Sequence, residues 1–268
     1  LGENMETDGN AGRGWQARLA LTFNRAGDKT ILARREHAGP LVVQKPLYPE
    51  HIRVCHAIII HPPGGVAGGD QLMLEINAEE GAHTLITTPG AGKWYKANGR
   101  QARQTVHIRG AAHAVVEWLP QENIVFDGAE VDWQTQVELE QDATWLGWEI
   151  TCMGRTAGGE SFSSGLLASA VSVRQNGHCL WNEKARLAGG SAILNHPVGL
   201  GGKPVFGAVS PNARVPALDL GGGVVIAESL AICEWAAEQA PSLWPKDAKT
   251  RALARAAATE MHGGFGAL

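Results

Sequence analysis

Three carboxylates of this chain sit in glycine-flanked turns that follow apolar sequence: Asp70 in Gly68-Gly69-Asp70, Asp127 in Phe126-Asp127-Gly128 and Glu160 in Gly158-Gly159-Glu160. A fourth acid, Glu149, stands between Trp148 and Ile150, where strand alternation points it opposite its apolar neighbours. Acids so placed either cap a turn by accepting backbone amides or line a polar interior. Capping is the preferred role for Asp127, and both roles stay open for Glu149 and Glu160. The ten histidines are scattered. His51, His56 and His61 are five apart, which serves neither a helix face nor one face of a strand. A hydrogen-bonded structural role therefore suits a lone histidine better than a ligand set. Cys55, Cys152, Cys179 and Cys233 form no CxxC pair and read as free, mostly buried thiols of a reducing cytoplasm.

Other chemistries fail on their spacing. The glycines from Gly64 to Gly69 do not fit GxGxxG. Gly90-Ala91-Gly92-Lys93 ends like a phosphate loop, but Trp94 stands where a hydroxyl residue belongs and Thr87 where the first glycine belongs. Gly159-Glu160-Ser161-Phe162-Ser163 lacks the last glycine of a nucleophile elbow. No Ser/His/Asp set can be assembled.

Each acid depends on the strand before it and the turn that ends that strand. HPPGGVAGGD (61–70) puts two prolines and four glycines directly after the apolar run Ala57-Ile58-Ile59-Ile60. Proline fixes φ and glycine permits φ > 0, so this backbone is shaped rather than slack. TTPGAGK (87–93) repeats the device. From Trp15 to about Val209 the dominant period is two. Val131, Trp133, Val137 and Leu139 face one way, while Asp132, Gln134, Gln136, Glu138 and Glu140 face water. Ala114 to Leu119, Thr84 to Thr88 and Trp145 to Thr151 also read as strands, and Val171 to Trp181 as a hairpin turning on Asn176-Gly177. No internal repeat stands out. The fold class is mainly β, its buried faces stacked or rolled onto each other.

Near Ser210 the character changes, and a boundary is placed at about 208–213. Val215 to Leu220 and Val224 to Ala227 read as short strands, Ser229 to Gln239 as a helix, and a second helix begins at Asp247. A chain of 268 residues with formal net charge -4 and pI ≈ 6.2 has no basic run for nucleic acid. It has no apolar run long enough for a membrane. The N-terminus lacks the apolar core of a signal peptide, no Asn-x-Ser/Thr sequon occurs, and the location expected is cytoplasmic. Starting without Met and stopping at Leu268 inside a helical pattern, the chain reads as a fragment.

Five long stretches in order and with matching spacing, CHAIIIHPPGGVAGGD (55–70), TTPGAGKWYK (87–96), EWLPQENIVFDGA (117–129), GWEITCMGR (147–155) and GESFSSG (159–165), resemble the urease accessory protein UreD, also called UreH. HAGPLVVQKPLYPE (37–50) and GLGGKPVFG (199–207) agree. The resemblance implies a non-enzymatic β-rich scaffold with few helices over 15–209, preceded by a flexible N-terminus at 1–14. It implies a complex with UreF and the GTPase UreG on apo-urease that delivers nickel through an interior polar passage, with nickel in transit and no tightly bound cofactor. Nickel accepts carboxylate, imidazole and water ligands, and a conduit must hold it weakly at several points. Under that resemblance Asp70, Asp127, Glu149 and Glu160 are the lining candidates, with His61 and Cys152 behind them.

The tail, 210–268, resembles part of a bacterial glutathione S-transferase in SPNARVPAL (210–218), IAESLAICEWAAE (226–238), LWPKD (243–247) and RALARAAATEMHGGFGAL (251–268). That implies a partial thioredoxin-like ββα hairpin and helix followed by one further helix. Val215-Pro216 matches that family's cis-proline turn, and Glu228-Ser229 the pair that holds the γ-glutamyl group. The thiol-activating unit is absent, so a remnant site without transferase activity is expected. Natural fusion, frameshift and splice all fit the join. The rival readings are therefore a glutathione-binding protein, tested by retention on immobilised glutathione, and a non-functional chimeric fragment, tested by solubility.

Overall fold

A computed structural model describes residues 14–196, 199–211, 217–219, 225–227 and 246–251. Valine, isoleucine, threonine and tryptophan at alternating positions make strands that bury one face, and here strand after strand does so. An opening hairpin, β1 (Gln16–Ala26) and β2 (Lys29–Ala38), leads through the short β3 (Val42–Val43) to β4 (Val54–Ile60). The chain then passes repeatedly between two sheets, by β5 (Gln71–Ala78), β6 (His83–Thr87), β7 (Gly92–Trp94), β8 (Ala102–Gly110), β9 (Val115–Trp118) and β10 (Asn123–Val125). It continues through β11 (Glu130–Leu139), β12 (Thr144–Met153) and β13 (Leu166–Gln175). The hairpin partner β14 (His178–Ala188), the four-residue helix α1 (Ala192–Asn195) and β15 (Val205–Pro211) follow.

One sheet has the order β14-β13-β11-β8-β5-β1-β2; the other runs β3-β4-β6-β9-β12-β10-β7, with β15 also on β12. The pairings β4·β6, β6·β9 and β9·β12 in one sheet, and β5·β8, β8·β11 and β11·β13 in the other, are all parallel. The result is a two-sheet parallel solenoid. Val54, His83, Val115 and Thr144 stand side by side, a coil of about 30 residues, within the usual range of structural repeats. This repeat has no counterpart in residue identity, which is why none is visible in the sequence. A coil needs only an inward apolar phase and a turn at the right distance.

A single core fills the space between the sheets, from Leu19, Leu21 and Phe23 at the opening hairpin to Val137 and Val173 at the last coil. The expected alternation of β11 holds, with Val131, Trp133, Val137 and Leu139 all buried. The expected hairpin at Asn176-Gly177 holds too: both residues have positive φ, 50° and 79°. HPPGGVAGGD is shaped as expected, since Gly64 and Gly69 adopt φ of 76° and 95°.

β15 runs across the boundary expected at 208–213 and pairs antiparallel with β12, Pro211 lying opposite Leu146. Beyond it, β16 (Ala217–Asp219) and β17 (Val225–Ala227) form an antiparallel ribbon. A helical turn at 248–251 starts at Asp247, whose carboxylate accepts the Thr250 backbone N–H at 2.8 Å. A thioredoxin-like arrangement of the tail is not among the described features. Val215, Pro216, Glu228 and Ser229 lie outside the described residues.

Candidate functional site

Strand β12 aims an acid into the space between the sheets. Its inward row is Trp145, Gly147, Glu149, Thr151 and Met153, all but Glu149 buried at the residue level; Trp148 and Ile150 take the outer face. Gly147 is what makes room: the Trp145 indole lies over it, and a Cβ there would be 2.1 Å from the ring. Facing Glu149 from the other sheet is Thr135 of β11, whose hydroxyl donates to Glu149 Oε1 at 3.1 Å. Thr135 belongs to a register row running Leu74, Val106, Thr135, Val171, Glu183. Glu183 of β14 thus stands on the same inward row as Thr135.

Burial pushes the Glu149 carboxyl up to about 7, the Thr135 hydrogen bond opposes this, and the negative charge of Glu183 adds to it. Glu183 is itself pushed up by burial, against a hydrogen bond from Trp181. Glu183 was not among the sequence candidates. Its signal is phase: Trp181, Glu183, Ala185 and Leu187 share one side of β14, all less exposed than the residues between them.

A cavity of ≈ 390 Å³ reaches Glu149 from the first coil. It touches Ile59 of β4, Leu72 of β5, Trp94 of β7, Gln104 of β8, Trp118 of β9 and Asn123 of β10. His61, at the start of the turn after β4, lines it as well. Three strand spacings, about 14 Å, separate β4 from β12, the strand that carries Glu149. Thr88 and Lys93, from the second glycine-rich turn, also line it. Its walls are apolar and aromatic with a few polar groups, and one of those is fixed: Trp94 Nε1 donates to Asn123 Oδ1 at 2.9 Å. Burial pushes the His61 imidazole down, and the nearby Asp70 charge opposes this. The larger hollow, ≈ 530 Å³, lies at the opposite corner of the solenoid beside the exposed Arg109–Glu138 ion pair and holds none of the candidates.

The other candidates are brought to different places. Asp70 is buried, but its two carboxylate oxygens accept the backbone N–H groups of Trp15 and Ala67, each at 2.8 Å. It ties the entering chain to the first shaped turn. Asp127 Oδ1 accepts the backbone N–H and hydroxyl of both Ser163 and Ser164. Burial works against its charge, yet these bonds hold the carboxyl below the usual aspartate range. Glu160 accepts the Asp127 backbone N–H at 2.9 Å and pairs with Arg155 at 3.4 Å. Asp127 and Glu160 therefore knit two corner loops together; for both, the geometry is that of turn capping. Cys152 is on the outer face of β12, opposite in phase to Glu149, and burial with the Glu122 charge pushes its thiol up.

Among the described residues, no three His, Cys, Asp or Glu side chains converge closely enough to hold a metal ion. What the arrangement offers instead is single oxygen and nitrogen donors set apart along one half-open hollow.

The UreD urease accessory protein family matches residues 16–266. The match takes in the segment for which a glutathione S-transferase resemblance was the expectation, and that resemblance finds no support in it. Relatives described as urease accessory protein UreD include one from Methylobacillus flagellatus, 50% identical over 206 residues that are 77% of this chain and 72% of the relative. One from an Azoarcus species is 50% identical over 192 residues, 72% of this chain and 67% of the relative. One from Pseudomonas aeruginosa is 44% identical over 201 residues, 75% and 71% respectively. With a match across nearly its whole length, this chain belongs to the UreD urease accessory protein family and so to urease maturation.

Proposed function

We propose that this chain is a non-catalytic scaffold that passes nickel toward apo-urease, working in a cytoplasmic complex with UreF and UreG. The observation that carries the reading is the cavity between the sheets, which links His61 in the first coil to Glu149 in the last. Nickel is a borderline dication that takes imidazole nitrogen and carboxylate oxygen in turn. A channel conducts only if each station is favourable enough to enter and weak enough to leave. His61, which burial pushes toward its neutral form, offers a ring nitrogen; Glu149 offers a carboxylate; Gln104 and Asn123 line the same cavity with amide oxygens. The apolar walls leave a cation few competing positions. Asp70 holds the turn that carries His61, while Asp127 and Glu160 hold the corner loops in place.

The experiment is urease activation by the assembled accessory complex, with nickel in the urease measured directly. Glu149→Gln and His61→Asn should each lower nickel per urease active site several-fold while the complex still co-purifies. Asp127→Asn and Glu160→Gln should leave nickel content close to wild type. Full nickel loading by a Glu149→Gln/His61→Asn double variant would overturn the passage.

A further inference from the structure

The inward row around Thr135 is apolar on both sides: its neighbours on the adjacent strands are Val106 and Val171. Valine has nearly the same shape as threonine and would pack this row without leaving a polar group to satisfy. The hydroxyl is nevertheless there, 4% exposed at the residue level, and it reaches across to Glu149 on the opposite sheet. A β-branched side chain on a strand is restricted at χ1, so the direction of that hydroxyl is set by the backbone.

We propose that Thr135 is a positioning residue for cation passage: its hydroxyl holds Oε1 of Glu149, so that the carboxylate meets the cavity with its other oxygen. This rests on Glu149 lining the nickel passage. A carboxylate held at one oxygen is a one-point ligand, which suits a station that must release its cargo. Partners that orient a ligand from behind are typically worth about ten-fold or more in metal affinity.

The test uses the assembled complex with apo-urease and titrates nickel, reading the concentration for half-maximal activation and the maximal activation separately. Thr135→Val should raise the half-maximal nickel concentration about ten-fold, with little change in the maximum or in assembly. Thr135→Ser should restore the wild-type curve, because it keeps the donor. Thr135→Cys, close in volume and a poor donor, should follow valine, and it serves as the second variant if valine does not assemble. A wild-type nickel requirement in both Thr135→Val and Thr135→Cys, with Glu149→Gln impaired, would overturn the role of Thr135 and leave the passage standing. Equal losses in all three Thr135 variants, in step with their melting temperatures, would make Thr135 a packing residue and overturn the proposal. Wild-type behaviour of Glu149→Gln would remove the passage itself.

Discussion

Glu149 carries a consequence for stability that needs no nickel to observe. Its carboxyl moves from an ordinary 4.5 to about 7 because it is enclosed between two sheets with Glu183 nearby. The folded state therefore holds the proton more tightly than the unfolded chain does. Between about pH 4.5 and pH 7 the unfolded chain has already released it, so this group makes stability fall as pH rises through that window. Above about pH 7 both states are ionised and the effect levels off. Each ten-fold difference in proton affinity is worth about 1.4 kcal/mol, so charging Glu149 costs the fold about 3 kcal/mol at pH 8. Glu149→Gln keeps the shape and the Thr135 contact but cannot ionise. It should match wild type near pH 4.5 and exceed it by up to about 3 kcal/mol at pH 8, which for a domain of this size is about 6–12 °C in melting temperature. Thermal or urea unfolding of both proteins from pH 4.5 to pH 8 reads the difference. Glu183 titrates in both, so it drops out of the comparison to first order. Parallel curves across that range would mean that Glu149 is solvated, and the enclosed-acid account would be refuted.

Gly147→Ala places a Cβ 2.1 Å from the Trp145 ring; it should lower stability by about 1–3 kcal/mol, seen as an earlier urea midpoint, and an unchanged midpoint would mean that the indole swings aside freely. Asn123→Ala removes the acceptor of the buried Trp94 N–H and should cost about 1–3 kcal/mol, read in the same assay. Asp127 gives stability of the opposite pH sense to Glu149: its hydrogen bonds from Ser163 and Ser164 hold the carboxyl low, so the stability they add is present above the ordinary aspartate value and is lost as pH falls through the lowered one. Asp127→Asn should flatten the acid limb of the unfolding profile, and an unchanged acid limb would contradict that sign.

Much of this molecule is legible in its residues. Alternation along 131–139 names the buried face of β11 without any coordinates. Asn176-Gly177 names its own turn, because two positive φ values in succession suit few other pairs. The glycines and prolines of 61–70 mark a shaped exit from β4. The acids divide differently. Asp127 carries a local signal for capping, and its partners, Ser163 and Ser164, are local to one corner of the solenoid. Glu149 sits in a window whose apolar neighbours face outward, so the period says that it points the other way but not what lies there. Glu183 hides in a half-exposed edge strand, where an acid in an inward phase resembles any surface glutamate.

Local chemistry alone, then, determined the strand phases, the hairpin turn and the shaped loops, because period and φ preference act over a few residues. The resemblance of five ordered stretches went further and pointed to the family. Only the tertiary structure decided that the strands run parallel in two facing sheets, that Thr135 meets Glu149 across the gap, and that His61 and Glu149 share one cavity. Thr135 and Glu149 lie 14 residues apart on strands of opposite sheets, and His61 reaches Glu149 across successive coils of about 30 residues. The spacing of such coils is held by hydrogen-bond register and core packing, and neither leaves a pattern within the window over which a sequence repeats itself.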